Sequence, residues 1–174
     1  MHMHVSEGEL KEFITDSGLV AKKEIDAAAA EAQKRGQSLG DMLVSRGSLT
    51  EDALRRIQAY VLGIPFVNLK EHRIPSDVLA LIPEPIARTH NIVAYKKERD
   101  SLEVAMLDVG DLASIDSVRK KTGLKILPRL TDTESIKSTL LQYQKSLKDE
   151  FGDIISAEAG KIRVVVENTE DLSS

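Results

Sequence analysis

Apolar residues in the first third of the chain recur at the spacing i, i+3, i+4, which places three side chains on one face of a helix. The pattern occurs twice, first in Leu10, Phe13 and Ile14 and again in Leu39, Met42 and Leu43. A shift of 29 residues brings the two sets into register. The spacing therefore predicts an internal repeat that begins each time with an amphipathic helix.

The repeat continues beyond each apolar set. At the same shift Gly18 meets Gly47, and each glycine is followed by a second run that favours helix. Glycine suits the left-handed position that ends a helix. Thr50 predicts the cap of the second helix in the later unit, whereas its equivalent, Ala21, caps poorly. We predict two helix-turn-helix repeats that form a helical subdomain over residues 6–62.

Shorter apolar runs, typical of strands, appear after the repeat. The predicted strands are residues 92–95, 102–107 and 124–130, and the predicted helices are residues 76–82, 84–90, 111–121 and 131–143. Ser76 or Asp77 would cap the first of these helices. Pro128 would place the last strand at a sheet edge, because proline has no N–H to donate.

The predicted fold class is α+β. The helical subdomain of two helix-turn-helix repeats precedes a small mixed sheet with helices in the order β-β-α-β-α, packed on one face of the sheet. This small α/β subdomain would cover residues 63–145. Residues 1–5 are predicted to form a disordered tail. Residues 146–174 are predicted to form a linker helix or strand that leads into an acidic tail.

Composition excludes several function classes. The chain of 174 residues has no cysteine, which rules out disulfides, thiol nucleophiles and cysteine zinc sites. Its 24 basic and 28 acidic side chains give a net charge of −4, which argues against a nucleic acid polymer as partner. No apolar run approaches the roughly 20 residues of a spanning helix, so direct membrane insertion is not predicted and cytoplasmic residence is expected.

The sequence lacks the phosphate-binding loop of ATPases. A phosphate-binding loop needs a glycine five residues before a Gly-Lys pair and a hydroxyl after it. The sole such pair, Gly160-Lys161, has Ile155 and Ile162 at those places. No ATP or Mg²⁺ site, no metal site and no catalytic residue is predicted.

Three carboxylates offer the remaining candidate chemistry. Asp108, Asp111 and Asp116 lie before and within a predicted helix, where they could form an acid/base or metal site. Carboxylates at the start of a helix also cap amides and suit the helix dipole, and this interpretation is favoured. An enzyme domain of unknown type remains an alternative that requires these three residues to share a polar pocket.

Several segments in this order resemble the N-terminal domain of ATPases that power type II secretion and type IV pilus assembly. The resemblance covers residues 8–145 and is carried by residues 39–50, 62–69, 81–88, 102–106 and 111–123. It implies that an ATPase domain, with its ATP and Mg²⁺, lies downstream of a fragment or truncated relative. A standalone adaptor is the alternative.

Some members of this family bind cyclic di-GMP through two tandem motifs with the same 29-residue period. The matching positions, our candidate ligand-binding residues, are Leu10, Ile14 and Gly18 in the first copy and Leu39, Gly40, Leu43, Val44, Gly47, Leu49 and Leu54 in the second. Glu9 and Ser38 stand where the motif has arginine. Losing two charged hydrogen bonds costs about 3–6 kcal/mol, so the resemblance implies a retained scaffold and lost high-affinity binding.

The resemblance implies a non-catalytic docking and regulatory module. Its partner would be the cytoplasmic domain of an inner-membrane platform protein, which would hold the chain at the periphery of that membrane and couple it to the motor. A cyclic di-GMP sensor is the alternative function, and cyclic di-GMP is the one ligand implied for this chain itself.

Overall fold

The computed structural model of the chain describes residues 5–145. The helices are α1 (Glu7–Ser17), α2 (Lys22–Arg35), α3 (Leu39–Ser45), α4 (Glu51–Leu62), α5 (Ser76–Leu79), α6 (Glu84–His90), α7 (Leu112–Thr122) and α8 (133–145), and the strands are β1 (Ile92–Lys97), β2 (Ser101–Met106) and β3 (Lys125–Leu130). The predicted α+β class is confirmed. The tail predicted at 1–5, except for its last residue, and the segment at 146–174 lie outside the described residues.

The two helix-turn-helix units follow the predicted repeat. Gly18 and Gly47 both adopt left-handed backbone, with φ of 71° and 75°. The second helices of the two units begin at Lys22 and Glu51, which keeps the 29-residue shift. Thr50 caps α4 by accepting a hydrogen bond from the backbone N–H of residue 53, as predicted. The units differ at their start, because α1 begins one turn earlier in its unit than α3 does.

These four helices enclose the first of two apolar clusters, which we call the helical core. Its buried members are Leu10, Ile14, Val20, Ile25, Ala28, Ala32, Leu39, Met42, Leu43, Leu49, Leu54 and Ile57. Every apolar position that the repeat brought into register is buried here except Phe13, which is half-buried. The repeat is therefore a packing pattern, because each unit supplies one half of a common core.

The sheet has the order β1-β2-β3. The first two strands form a hairpin, since β1 and β2 pair antiparallel with Ile92 opposite Met106. β3 pairs parallel to β2, and α7 makes the connection that a parallel pair needs. Residues 92, 93 and 94 are all fully buried, and successive strand residues face opposite sides. Both faces of the sheet are therefore covered at this end of β1.

Pro128 lies on the outer edge of β3, as predicted. The N–H groups of Lys125 and Thr131 donate to carbonyl groups at the two ends of β2. The backbone N–H groups of the odd-numbered residues therefore point toward β2. Leu130 faces the other way, donating to the carbonyl of Pro65 at 3.0 Å. Because the backbone alternates along a strand, Pro128 also points outward, where no ladder hydrogen bond needs its missing N–H.

The helices of the second half of the chain start within two residues of the prediction, at 76, 84, 112 and 133, but the first of them differs in its end and its cap. The helix predicted over 76–82 covers only Ser76–Leu79, and its N-cap residue is Pro75, without a side-chain cap. Neither Ser76 nor Asp77 serves as the cap. Pro75 precedes the first helical turn, and its carbonyl oxygen accepts from the N–H groups of Val78 and Leu79, at 3.1 and 3.0 Å.

The second cluster, the sheet core, packs the strands against α4 to α8. Its fully buried members include Leu69, Ile82, Ile92, Val93, Leu102, Val104 and Met106. α4 belongs to both clusters: Leu54 and Ile57 lie in the helical core, and Ala59 lies in the sheet core. One helix thus joins the two halves of the described structure.

Polar contacts hold α8 against the segment between α4 and α6. The hydroxyl of Ser135 accepts from the N–H of Leu69 at 3.0 Å. The Tyr143 hydroxyl donates to the carbonyls of Leu79 and Ile82, at 3.0 and 2.6 Å. Burial raises the pKa of this hydroxyl, so it stays a donor across the physiological range. α8 is thus fixed at several points along its length.

Asp132 gives this attachment a pH dependence. Its side chain is 3% exposed, and its carboxylate accepts from the N–H of Ser135 at 2.8 Å and lies 3.5 Å from Lys70 Nζ. Burial works to raise the pKa of Asp132, but the hydrogen bonds of Ser135 and the charge of Lys70 outweigh it and lower the pKa. The stabilisation is therefore complete above the unfolded pKa of about 3.9 and is lost as pH falls through the lower folded value.

We expect Asp132→Ala to lower the free energy of unfolding at pH 7 by about 0.5–2 kcal/mol, the usual cost of losing an acidic N-cap. Urea unfolding at pH 7 and pH 3 measures it, and the difference from wild type should shrink at pH 3. Glu134→Ala, at a 65% exposed neighbouring side chain, is the control with little effect. A penalty for Asp132→Ala that is equal at both pH values would contradict the assignment.

Candidate functional site

Most of the candidate ligand-binding residues are buried in the helical core. Leu10, Ile14, Leu39, Leu43 and Leu54 are at most 3% exposed. Gly40 and Leu49 are buried as well, and Val44 is half-buried. Gly18 and Gly47 are exposed, at the left-handed ends of the first helix of each unit. The structure thus brings the aliphatic candidates together, but as packing partners of one another.

Gly40 has a definite steric role. A Cβ at this position would lie 2.8 Å from Leu54 Cδ1 and 3.3 Å from Leu10 Cδ2. The missing side chain therefore lets α3 pass close to α4 and α1. Its equivalent in the first unit, Lys11, is exposed and pairs with Asp26 at 3.6 Å. The glycine in the second copy is explained by helix packing without any ligand.

The polar border of the candidate site is formed by the starts of α1 and α3. Glu7 Oε2 accepts a hydrogen bond from the backbone N–H of Leu39 at 2.8 Å. Ser38 Oγ accepts from the N–H of Asp41 at 3.1 Å, within α3 itself. The first amides of α3 thus already have acceptors from the chain.

This contact places the two motif starts side by side. The first turn of α1 carries Glu9, which is exposed, and the cap of α3 is Ser38. In place of two arginines, the border carries acidic side chains at Glu7, Glu9 and Asp41. An anionic ligand arriving here would meet negative charge, and it would have to displace a carboxylate to reach the Leu39 amide.

Arg46 directly precedes Gly47 in sequence, and its guanidinium already forms hydrogen bonds with carboxylates of α2. Its guanidinium donates to both carboxylate oxygens of Glu24, at 2.7 and 3.2 Å, and to Glu31 at 2.5 Å. Ser48 Oγ adds a bond to Glu24 at 2.8 Å. The hydrogen bond from Arg46 is the main cause that lowers the pKa of Glu24. This network ties the end of α3 to α2.

Sequence reasoning missed both Glu7 and Arg46. For Arg46 a signal existed, because Glu24 and Glu31 are seven residues apart and therefore lie on the same face of α2. For Glu7 the one-dimensional pattern has no signal, since its partner is a backbone amide 32 residues away. Long-range caps of this kind are visible only once the helices are packed.

The three carboxylates considered for catalysis have local partners. Asp111 accepts from the N–H and the hydroxyl of Ser114, at 3.2 and 2.6 Å, and that hydroxyl is the main cause that lowers its pKa. Asp116 pairs with Lys120 at 3.0 Å. Asp108 accepts from the backbone N–H of Gly110 at 2.8 Å. Asp111 is thus the helix cap that the favoured interpretation requires, whereas Asp116 forms an ion pair along α7 and Asp108 bonds to the turn before it.

Within residues 5–145, no group of three or more His, Asp or Glu side chains is arranged to hold a metal ion. None of the helices in the same range is long and apolar enough to cross a membrane.

Comparison with known proteins places the chain in a family. Residues 62–150 match the model of the MshEN domain. Over 165 residues the chain is 28% identical to the type IV pilus assembly ATPase PilB of Myxococcus xanthus, which covers 95% of this chain and 29% of PilB. The chain therefore spans less than a third of that relative's length.

Two solved structures share the fold. The structure of MshE with cyclic di-GMP superimposes with a TM-score of 0.66 at 24% identity, covering 77% of this chain and 97% of that one. The N-terminal domain of XpsE gives a TM-score of 0.58 at 20% identity, covering 82% and 98%. The family match spans about half of the chain, and its fold agrees with these structures. The chain belongs to the MshEN domain family and is an N-terminal domain of the type found in type II secretion and type IV pilus assembly ATPases.

Proposed function

We propose that the chain is the non-catalytic docking and regulatory module of a pilus assembly or secretion ATPase. The observation that carries the proposal is the state of the repeat. Most of its aliphatic side chains are buried in the helical core. At its polar border, the carboxylate of Glu7 already accepts the hydrogen bond of the Leu39 amide. A domain that keeps the scaffold and fills its own ligand border serves better as a protein-binding module than as a sensor.

The proposed partner is the cytoplasmic domain of an inner-membrane platform protein, which makes the chain cytoplasmic and peripheral to that membrane. An ATPase domain that binds ATP and Mg²⁺ would follow downstream. The proposed contact surface is the ring of Tyr60, which is 75% exposed and whose centroid lies 5.2 Å from that of the half-buried Phe13. In a chain with 3% aromatic residues, such a pair is notable, because tyrosine is enriched in binding hot spots.

We expect Tyr60→Ala to weaken binding to the platform protein's cytoplasmic domain by at least about tenfold, or about 1.4 kcal/mol. The measurement is biolayer interferometry with the purified domain at micromolar concentrations. Leu112→Ala, at another large apolar side chain that is 58% exposed, is the matched control and should bind as wild type does. No binding by the wild-type chain would count against docking itself, whereas equal loss in both variants would count against the Tyr60 surface.

A cyclic di-GMP sensor is the second candidate function. It is favoured by one observation, that MshE, whose fold is similar, was solved with this ligand. It would require an anionic ligand to compete with Glu7 for the Leu39 amide and to bind beside Glu9.

Calorimetric titration with cyclic di-GMP separates the two functions. Micromolar binding by the wild-type chain would favour the sensor. The residues changed to locate the site must be at its border, such as Ser38, because substitution of the buried Leu39 or Leu43 would weaken binding through lost stability alone.

A further inference from the structure

The junction between the two cores contains one contact that links distant parts of the chain. Glu51 Oε1, in the first turn of α4, accepts from the backbone N–H of Thr133 at 3.0 Å and from its hydroxyl at 2.5 Å. The two residues are 82 positions apart in sequence. Thr133 is the first residue of α8, so a helix in the first half of the chain supplies an N-terminal cap to the last described helix.

A second side chain supports this contact. Arg55, one turn further along α4, has its Nε 3.6 Å from Glu51 Oε1 and its Nη1 3.4 Å from the carbonyl oxygen of Leu107. Arg55 therefore attracts the Glu51 carboxylate by charge, without a hydrogen bond from Nε, and also contacts the residue that follows β2. The side chains of Glu51 and Arg55 are 32% and 21% exposed, so water only partly screens the pair.

The position of α4 makes the contact sensitive to the helical core. Leu54 and Ile57 fix α4 among the other repeat helices, while Glu51 and Ala59 reach the second half of the molecule. A change in the packing of the repeat that moves or loosens α4 must therefore move the acceptor of the Thr133 amide. Unpaired amides at a helix start favour fraying of the first turn.

We propose that Glu51 is a latch that couples the order of the helical core to the order of α8, the helix that leads into the C-terminal segment. When the repeat is well packed, the carboxylate satisfies the first amide of α8 and suits the positive end of its dipole. When the repeat is perturbed, the Thr133 amide loses this acceptor and the start of α8 frays more readily, although Asp132 and Ser135 still hold the following residues. The inference goes beyond the proposed docking function and does not depend on it.

Hydrogen exchange measured on the full chain tests the first half of the proposal. Glu51→Ala should raise exchange in the first turn of α8 by at least about tenfold, or about 1.4 kcal/mol. Asp52→Ala removes the neighbouring carboxylate, which pairs with Arg56 at 2.8 Å within α4, and should leave α8 unchanged. Glu51→Gln keeps an acceptor oxygen and should restore most of the protection. Unchanged exchange in Glu51→Ala, or an equal rise in Asp52→Ala, would overturn the latch.

A double perturbation tests the coupling itself. Ile25→Val removes one methylene-sized group from the helical core at a fully buried site and is mild enough to leave the chain folded. It should raise exchange at the start of α8 when Glu51 is present and have no further effect in the Glu51→Ala background. An equal rise in both backgrounds would show that the repeat reaches α8 by another route, and would overturn the proposal.

Discussion

Leu43→Ala is expected to lower the free energy of unfolding by about 2–5 kcal/mol, which makes it the most destabilising single change considered. The side chain is fully buried in the helical core, so truncating it removes buried apolar contacts and leaves a cavity. Urea unfolding followed by circular dichroism measures the loss. The size of the effect reflects packing, even though this position matches the cyclic di-GMP motif.

The matched control for this prediction is Leu43→Met, which nearly conserves volume and should cost less than about 1.5 kcal/mol. Ligand is absent from both measurements, so a large difference between the two variants can only come from the core. A loss below about 1 kcal/mol for Leu43→Ala would mean that the repeat is loosely packed, in conflict with the burial of this residue.

The second large effect is a gain of ligand binding. The variant Glu7→Ala, Glu9→Arg, Ser38→Arg frees the Leu39 amide and places the two motif arginines at the adjoining starts of α1 and α3. Two charged hydrogen bonds contribute about 3–6 kcal/mol, so affinity for cyclic di-GMP should rise by about two to four decades over wild type. Calorimetric titration measures both proteins under the same salt conditions.

A charge-matched variant guards against non-specific attraction of the anionic ligand. Glu7→Ala, Glu12→Arg, Ser45→Arg has the same change in net charge but places the arginines at exposed positions further along α1 and α3. It should bind no better than Glu7→Ala alone. Equal gains in both triple variants would show that bulk charge, and not the border of the motif, limits binding.

Local order in this chain was largely predictable from its sequence. The helical spacing of apolar residues, the glycines at 18 and 47 and the cap at Thr50 each act within one or two turns, so the sequence encodes them directly. The 29-residue repeat also predicted tertiary packing, because two similar amphipathic patterns can bury their apolar faces against each other.

The features that were not predicted share a physical cause. The covering of both sheet faces depends on which helices cross the strands, and no local pattern records that choice. The caps that Glu7 and Glu51 supply are tertiary contacts across 32 and 82 positions, made by acidic residues that look like any exposed glutamate in sequence. The motif match picked out positions that belong to the helical scaffold. Their burial shows that the aliphatic side chains at these positions pack against one another.

Pro128 has a consequence for the chain at high concentration. A free strand edge with an unbroken row of N–H groups is a template on which other copies can add strands and aggregate. The proline removes a donor from the outward-facing row of β3, and the segment around Pro65 covers the row at Leu130. Copies of this domain at high concentration are therefore hindered from adding strands to this edge of the sheet.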